Sequence, residues 1–263
     1  MARPRVLLLE DDPAIQRFVA LVAEDCDVEV QGVHCLADAD KALKAGSFDL
    51  LLADLMLPDG CAVEWLQRTR QADETRARLR VVAFSAGLGT TVRHALGLAG
   101  VERFLPKPVS VDDLQACFSE LWGTPVAREP DVGRHACDGC EAAHPATPPP
   151  HQRSGAAVVQ RYFGGDARLH ADFLQAWRGG LVRDLARVEQ HLADADLAAV
   201  GRMAHSMKSA LRMLGESRLA QDASLVEQRC AERTDAGASL AWDRLRSGLQ
   251  AWMARRGDIA PSA

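Results

Sequence analysis

The chain has 263 residues, of which 48% are hydrophobic and 25% are charged, and its formal net charge is −5 at pH 7. This length and composition predict a globular protein of two domains, and the acidic excess argues against the basic surface that nucleic-acid binding requires. The first apolar run, Val6 to Leu9, is too short for a signal peptide, and no run is long enough to cross a membrane. We therefore expect a cytoplasmic protein without membrane insertion.

The first 123 residues alternate between strand-like and helical patterns. Short runs rich in branched apolar residues predict five strands, at residues 5–10, 28–33, 48–53, 79–84 and 101–105. Apolar residues at helical spacing follow each strand, at residues 13–24, 36–45, 61–71, 90–99 and 110–122. This alternation predicts an α/β domain with a doubly wound, five-stranded parallel sheet and helices on both faces.

Residues 124–153 contain half of the twelve prolines and no apolar periodicity, which is typical of a linker. Within it, His135, Cys137, Cys140 and His144 have a spacing compatible with zinc. A redox pair of thiols is a second interpretation, and an incidental pair in disordered sequence is a third, which we favour over zinc. The other five cysteines stand alone in apolar patterns, so we expect buried, free thiols in a reducing compartment.

From residue 154 to residue 256 the sequence shows helical patterns only. They cover residues 155–163, 166–192, 196–214, 216–233 and 238–254. The connections between them are short, which favours antiparallel neighbours in an all-α bundle. Gly179 and Gly180 interrupt the second pattern and allow a kink or a break there.

Polar side chains follow the predicted strands of the first half. They are Glu10, Asp11, Asp12, Asp54, Ser85 and Lys107. Because ligands bind beyond the carboxyl ends of parallel strands, we expect these residues to share one pocket. Crowded carboxylates repel each other unless a cation joins them, and oxygen ligands suit Mg²⁺. A carboxylate there can act as a nucleophile towards phosphorus, although each acid taken singly is also explained as a helix cap.

The segments "LLLEDDP", "DLLLADLMLPDG", "FSA" and "FLPKP" together resemble the motifs of a response-regulator receiver domain, over residues 1–123. The resemblance implies that Asp54 accepts a phosphoryl group. It also implies a Mg²⁺ ion held by Asp11, Asp12 and Asp54, with help from the backbone carbonyl of Met56.

The same resemblance assigns roles to the residues that follow the fourth and fifth strands. Lys107 would pair with the acyl phosphate, and Ser85 would donate a hydrogen bond to it on activation. Phe104 stands at the position of the family's aromatic switch residue. The peptide bond between Lys107 and Pro108 would be cis.

The segment "AHSMKSALRMLG", residues 204–215, predicts an amphipathic helix. Its apolar stripe consists of Leu197, Val200, Ala204, Met207, Leu211 and Leu214. His205 lies opposite this stripe, with Lys208 one turn later and the small Gly201 and Ser209 beside it. We expect an exposed imidazole, which is a competent nucleophile, next to a lysine that would neutralise a phosphate. A surface histidine without function is the alternative.

The pattern Ala-His-x-Met-Lys, followed by Leu-Gly, resembles a histidine-containing phosphotransfer (HPt) domain, over residues 158–235. "YFGGD", "FLQAW" and "HLADAD" fit the family's leading helices. The resemblance implies a four-helix bundle that carries phosphate on His205, assisted by Lys208, without kinase activity. Ser209 replaces a glycine that the family prefers, and its hydroxymethyl group would crowd a docking receiver or supply a hydrogen bond.

We therefore expect a receiver domain at residues 1–123, a linker at 124–153 and an HPt domain at 154–256, acting as a phosphorelay intermediate. The expected partners are a sensor or hybrid histidine kinase and other receiver domains. No segment resembles a kinase ATP site, so the receiver would catalyse only its own phosphorylation and dephosphorylation. Two alternatives remain open: a receiver-switched interaction module with an idle His205, or a receiver that drains phosphate from the HPt domain.

Overall fold

The computed structural model of the chain describes residues 3–72, 79–85, 97, 100–122 and 155–257. Most of the helix predicted at 90–99 lies outside the described residues. The predicted linker lies outside them as well, with its candidate zinc or redox residues His135, Cys137, Cys140 and His144.

The first half contains a parallel sheet with the predicted number of strands. In chain order the strands are β1 (Arg5–Leu9), β2 (Glu29–Val33), β3 (Leu50–Asp54), β4 (Met56–Leu57), β5 (Gly60–Cys61), β6 (Arg80–Ser85) and β7 (Arg103–Pro106). Five of them pair in the order β2-β1-β3-β6-β7, while β4 and β5 form a separate two-residue antiparallel ribbon. The doubly wound α/β prediction is confirmed, and the ribbon directly after β3 is the addition that sequence reasoning did not contain.

Helices cover both faces of this sheet. They are α1 (Pro13–Asp25), α2 (Leu36–Ala45), α3 (Ala62–Ala72) and α4 (Val111–Ser119). Alternate residues of β1 belong to two separate apolar clusters: Leu8 packs with Phe18 of α1, and Leu7 packs with Trp65 of α3. This alternation follows from the two-residue period of a strand and explains why the central strands are apolar throughout.

The second half is helical, as predicted. Its helices are α5 (Gly155–Phe163), α6 (Ala167–Ala193), α7 (Leu197–Met213), α8 (Ser217–Ala231) and α9 (Asp235–Gly257). Helix α6 runs unbroken through Gly179 and Gly180, because Trp177 and Leu181 on either side are buried in the core. Tertiary packing therefore outweighs the weak helix propensity of the glycine pair.

The turn after α7 depends on Gly215. Its φ of +76° lies in the left-handed region that favours glycine. A β-carbon on Gly215 would also lie 2.8 Å from a methyl group of Val158. The glycine of the Leu-Gly pattern is therefore required by backbone conformation and by the close approach of α5.

An aromatic cluster joins the two halves. The ring of Phe18 on α1 lies 5.4 Å from that of Phe163 on α5 and 6.0 Å from that of Phe173 on α6, both edge to face. All three side chains are almost fully buried in one apolar cluster that includes residues of both halves. Edge-to-face ring pairs add to the stabilisation that apolar burial supplies, so the two halves pack directly on each other.

Within the described residues, no helix is both long enough and apolar enough to span a bilayer. The five cysteines described are free thiols. Cys117 and Cys230 are buried as expected, whereas Cys26, Cys35 and Cys61 are partly exposed, because they lie at the ends of elements and not in their apolar centres.

Candidate functional site

The carboxyl edge of the sheet holds a buried group of charged side chains. Lys107, which follows β7, places its Nζ 2.6 Å from Oδ2 of Asp54 and 2.9 Å from Oε2 of Glu10. These side chains are at most 6% exposed. Because β1 and β3 are parallel neighbours, Glu10 and Asp54 end at the same edge. The structure therefore brings together the acids and the lysine that the sequence analysis placed at strand ends.

The charges of this pocket perturb one another strongly. Burial raises the pKa of Glu10 well above its ordinary value, against the opposing charge of Lys107. Burial and then the charge of Asp54 raise the pKa of Asp11. Burial lowers the pKa of Lys107, but the carboxylates of Glu10 and Asp54 outweigh it and raise that pKa above its usual range. The pocket thus holds more negative charge than one ammonium group balances.

Three carboxylates of the pocket form a group suited to a metal ion. One oxygen from each of Glu10, Asp11 and Asp54 lies within 4.8 Å of the others. Oδ1 of Asp11 is buried and has no hydrogen-bond partner among the described residues. An all-oxygen set of this kind fits a hard cation such as Mg²⁺, and a cation would also satisfy the unpartnered oxygen of Asp11.

This group differs from the predicted ligand set because it contains Glu10 in place of Asp12. Oδ1 of Asp12 accepts hydrogen bonds from the backbone N–H groups of Ala14, at 2.8 Å, and Ile15, at 3.4 Å, so Asp12 is the N-cap of α1. Burial raises its pKa to about 6. The capping interpretation of Asp12 is therefore correct, and its role as a metal ligand stays a prediction.

The structure also describes Met56, Phe104 and the peptide bond after Lys107 among the predicted receiver features. The backbone N–H of Met56 donates to Oδ1 of Asp54 at 3.2 Å, and the Met56 side chain is exposed. Phe104 on β7 is partly buried and packs against the cluster under α2 and α3. The peptide bond between Lys107 and Pro108 is cis. The side chain of Ser85, at the end of β6, lies outside what the structure describes, so its role stays a prediction.

The second candidate group of side chains lies on the facing surfaces of α7 and α8. Nδ1 of His205 is 2.8 Å from Oε1 of Glu227. Lys208 donates to Oε2 of the same glutamate, and its Nζ lies 3.4 Å from Nδ1 of His205. When Nδ1–H donates to Glu227, Nε2 carries the free lone pair of the ring. The hydrogen bond to Glu227 thus orients the imidazole and favours the tautomer with its proton on Nδ1, because a carboxylate can only accept.

Sequence reasoning missed Glu227, which lies 22 residues after His205 on a different helix. Burial raises the pKa of Glu227, but hydrogen bonds from His205 and Lys208 outweigh it and lower the pKa to about 2. Glu227 is therefore ionised at neutral pH and accepts from both side chains. No local spacing marks it, since one more glutamate on an amphipathic helix is typical of a solvated face.

The predicted apolar stripe of α7 is confirmed, but the opposite face is less exposed than expected. Lys208 is 8% exposed and Ser209 is 3% exposed, because α8 covers this side of α7. Oγ of Ser209 has no hydrogen-bond partner within the described part of the chain. A β-carbon on Gly201 would lie 3.3 Å from Cβ of Cys230. The small size of Gly201 thus permits close packing of α7 on α8. The two roles suggested for Ser209, crowding a docking receiver or supplying a hydrogen bond, stay predictions.

Comparison with known families finds a match in each half of the chain. The model of the response regulator receiver domain matches residues 6–119, and the model of the Hpt domain matches residues 172–255. The chain thus contains a response regulator receiver domain followed by an Hpt domain, and neither of these is a kinase domain.

Three curated relatives illustrate how much of the chain is matched. The chain is 28% identical to the sensor protein GacS of Pseudomonas syringae pv. syringae over 82% of its own length. It is 26% identical to the sensor histidine kinase GacS of Pseudomonas protegens over 92% of its length. It spans 23% and 26% of those two relatives. The transcriptional regulatory protein TrcR of Mycobacterium tuberculosis is 35% identical over 43% of the chain and 42% of TrcR.

Solved structures similar to this chain include two response regulators. The chemotaxis response regulator CheY4 of Vibrio cholerae is 17% identical, with a TM-score of 0.43, over 46% of this chain and 99% of that one. The receiver domain of the Francisella response regulator 1452 is 22% identical, with a TM-score of 0.42, over 46% of this chain and 98% of that one.

Proposed function

We propose that the protein is a phosphorelay intermediate of a two-component system in the cytoplasm. Asp54 of a receiver domain, residues 1–123, accepts a phosphoryl group, and His205 of an HPt domain, residues 154–256, carries one. Residues 124–153 connect the two domains. The proposed partners are a sensor or hybrid histidine kinase and the receiver domains of other proteins.

At the receiver pocket, one oxygen of Asp54 attacks phosphorus and the bond to the donor's leaving group breaks. Lys107 already lies 2.6 Å from Asp54, where its charge stabilises the negative oxygens of the transferred group. Mg²⁺ held by Glu10, Asp11 and Asp54, with Asp12 and the Met56 carbonyl as further candidates, would neutralise the same oxygens. Ser85 and Phe104 are the proposed residues that respond to the phosphoryl group.

The observation that carries the proposal is the contact of His205 with Glu227 and Lys208. A histidine without function needs neither a carboxylate that orients its ring nor a lysine beside it. Here the carboxylate supports Nε2 as the nucleophile, because a negative charge at Nδ1 stabilises the ring as it becomes cationic. Lys208 supplies the positive charge that a phosphoryl group on His205 requires. This arrangement favours the relay over an interaction module with an idle histidine.

The proposal is tested by transfer from histidine kinases. Each purified histidine kinase of the source organism, autophosphorylated with labelled ATP, is mixed briefly with the wild-type chain, Asp54→Ala or His205→Ala. Acyl phosphate and phosphohistidine are then separated by their stability in base. We expect base-stable label on the wild type and its loss in His205→Ala, and we expect acyl label to be lost in Asp54→Ala. The chain alone should incorporate no label from ATP.

Two outcomes would decide for the alternatives. If no donor, kinase or receiver, places base-stable label on the wild type, the relay is wrong and the interaction module explains the chain. If label reaches His205 but is only released as inorganic phosphate, without transfer to any other receiver, the receiver acts as a phosphate sink.

A further inference from the structure

An apolar contact that includes a helix outside both family matches holds the two halves of the chain together. Helix α5 precedes the residues that the Hpt model matches and follows those that the receiver model matches. The ring centroid of Phe163, the last residue of α5, lies 5.4 Å from that of Phe18 on α1 and 5.7 Å from that of Phe173 on α6. Phe163 is 1% exposed, so separating the halves would expose an apolar ring to water, and this cost favours the packed arrangement.

In this arrangement the helical half borders the mouth of the acid pocket. A cavity of about 720 Å³ is lined by Asp11 and Asp12 from the receiver and by Arg183 and Ser206 from α6 and α7. The side chain of Asp54 is more deeply buried, at 4% exposure. A phosphodonor that reaches Asp54 past the two acids therefore enters through a cleft that the helical half borders.

His205 is bordered by the receiver in a similar way. A second cavity, of about 840 Å³, is lined by His205 and Glu227 together with Met56, which follows Asp54 by two residues. The Met56 side chain is 52% exposed, so water reaches this cavity. The acceptor proposed for the helical half thus shares a cavity with the loop after β3 of its own receiver.

The size of these cavities decides what enters them. Volumes of about 720 and 840 Å³ are those of small-molecule sites. A specific protein–protein contact buries about 800 Å² on each partner, an area that neither cleft offers because its far wall is the other half of the same chain. A small phosphodonor therefore reaches the acids while the halves are packed, whereas a protein donor requires the helical half to move away.

We propose that the contact of Phe163 with Phe18 and Phe173 is a latch that selects the phosphodonor of Asp54. While the halves are packed, Asp54 takes a phosphoryl group from small molecules of the phosphoramidate or acyl phosphate class. Protein donors act on the chain after the latch opens and the halves separate. The inference rests on the proposed function and concerns which donors reach its first acceptor.

The transfer from a small donor is balanced without a further reactant. With phosphoramidate, a carboxylate oxygen of Asp54 attacks phosphorus, the P–O bond forms and the P–N bond breaks. Because the nitrogen of phosphoramidate is protonated at neutral pH, it leaves as ammonia and needs no proton from the protein. With an acyl phosphate, the leaving group is the carboxylate of the donor.

The test compares a small donor with protein donors on the full-length chain. Wild type and Phe163→Ala are phosphorylated with phosphoramidate and Mg²⁺ and, in parallel, with the autophosphorylated histidine kinases of the source organism. Base-labile acyl phosphate on Asp54 measures both rates. We expect Phe163→Ala to accept label from a kinase about tenfold faster or more, because the rate follows the fraction of chains that are open. The rate with phosphoramidate should be unchanged.

Two further variants separate the latch from a general loss of packing. Phe173→Ala removes the second ring that the helical half contributes, and it should accelerate labelling by the kinase in the same way. Phe48→Ala is the matched control, because Phe48 packs against the separate apolar cluster under α2 and α3, and it should leave both rates unaltered. Small-angle scattering should show a larger radius of gyration for the two latch variants and not for Phe48→Ala.

Kinase rates in both latch variants no greater than in the wild type would overturn the proposal while leaving the relay intact. An equal acceleration with phosphoramidate would overturn it as well, because the latch would then not distinguish between donors. An unchanged radius of gyration in both latch variants would show that the aromatic contact does not hold the halves together. Failure of every kinase to label the wild type and both latch variants instead refutes the proposed function itself.

Discussion

The receiver pocket and the His205 site contain the same three kinds of group in different surroundings. In each, a lysine contacts both the proposed phosphate acceptor and a glutamate: Lys107 contacts Asp54 and Glu10, and Lys208 contacts His205 and Glu227. The receiver side chains are 1–6% exposed. In the His205 site, His205 is 19% exposed and Glu227 is 33% exposed.

This difference in burial determines how much each lysine contributes to the stability of its site. In the receiver pocket the charges have lost their water, so each depends on the others for stabilisation. At the His205 site the glutamate keeps part of its hydration, so the contacts orient the ring at little cost in stability. The receiver pocket thus buries its charges, whereas the His205 site leaves part of its charge in contact with water.

The largest expected effect is on the free energy of unfolding, when each of the two lysines is replaced by methionine. Lys107→Met leaves Glu10 and Asp54 buried without a cation, and we expect it to lower the free energy of unfolding by about 3 kcal/mol or more. Lys208→Met should cost about 1 kcal/mol, because Glu227 can regain water. Urea unfolding at neutral pH measures both. Equal losses for the two variants would contradict the comparison of the two sites.

The affinity for Mg²⁺ is expected to depend on Asp11 more than on Asp12. Asp11→Asn should weaken Mg²⁺ binding about tenfold or more, because it removes charge from an oxygen that has no other partner among the described residues. Asp12→Asn is the matched control, since asparagine still caps α1. Thermal unfolding against Mg²⁺ concentration measures both affinities. A loss with Asp12→Asn as large as that with Asp11→Asn would show that Asp12 is a ligand as well as a cap.

Glu227 is expected to affect the rate of phosphate transfer at His205. Glu227→Gln keeps the shape of the side chain but replaces a charge-assisted hydrogen bond with a neutral one, so we expect formation of phosphohistidine to slow about tenfold. Label on His205 measures the rate. Glu232→Gln, an exposed change near the end of α8, is the control and should leave the rate unaltered. An equal effect of both variants would show that Glu227 has no specific role in the transfer.

The same glutamate predicts a dependence of stability on pH. Because folding lowers the pKa of Glu227 from its ordinary 4.5 to about 2, its ionised form stabilises the fold fully above pH 4.5. That contribution is lost as the pH falls towards 2. The difference in free energy of unfolding between the wild type and Glu227→Gln should therefore shrink over this range. A difference that stays constant with pH would show that the pKa of Glu227 is not lowered.

The smallest expected effect concerns Ser209. Its hydroxyl is buried without a partner among the described residues, so Ser209→Ala should raise the free energy of unfolding by about 1 kcal/mol. The rate of phosphate transfer should not change, because the side chain does not reach the surface. Chemical unfolding and the transfer assay measure the two quantities, and slower transfer would place Ser209 in the docking surface after all.

Much of this molecule follows from its sequence. Strand and helix patterns predicted the sheet and the helices, because the period of burial is two in a strand and 3.6 in a helix. The proximity of Asp54 and Lys107 was predictable too, since the carboxyl ends of parallel strands lie at one edge of the sheet. The apolar stripe of α7 was sufficient to place His205 on the opposite face of that helix, because the helical period alone relates the two positions.

Only the tertiary structure decided which partners these residues have. The contact of Glu227 with His205, the burial of Ser209 and the continuity of α6 through Gly179 depend on how separate helices pack, and no local pattern encodes them. Asp12 caps α1 and Glu10 belongs to the acid group, because the backbone after β1 directs the carboxylate of Asp12 towards the helix and that of Glu10 towards Asp54. The contact of Phe18 with Phe163 likewise exists only in the tertiary structure, because these two residues are far apart in the sequence.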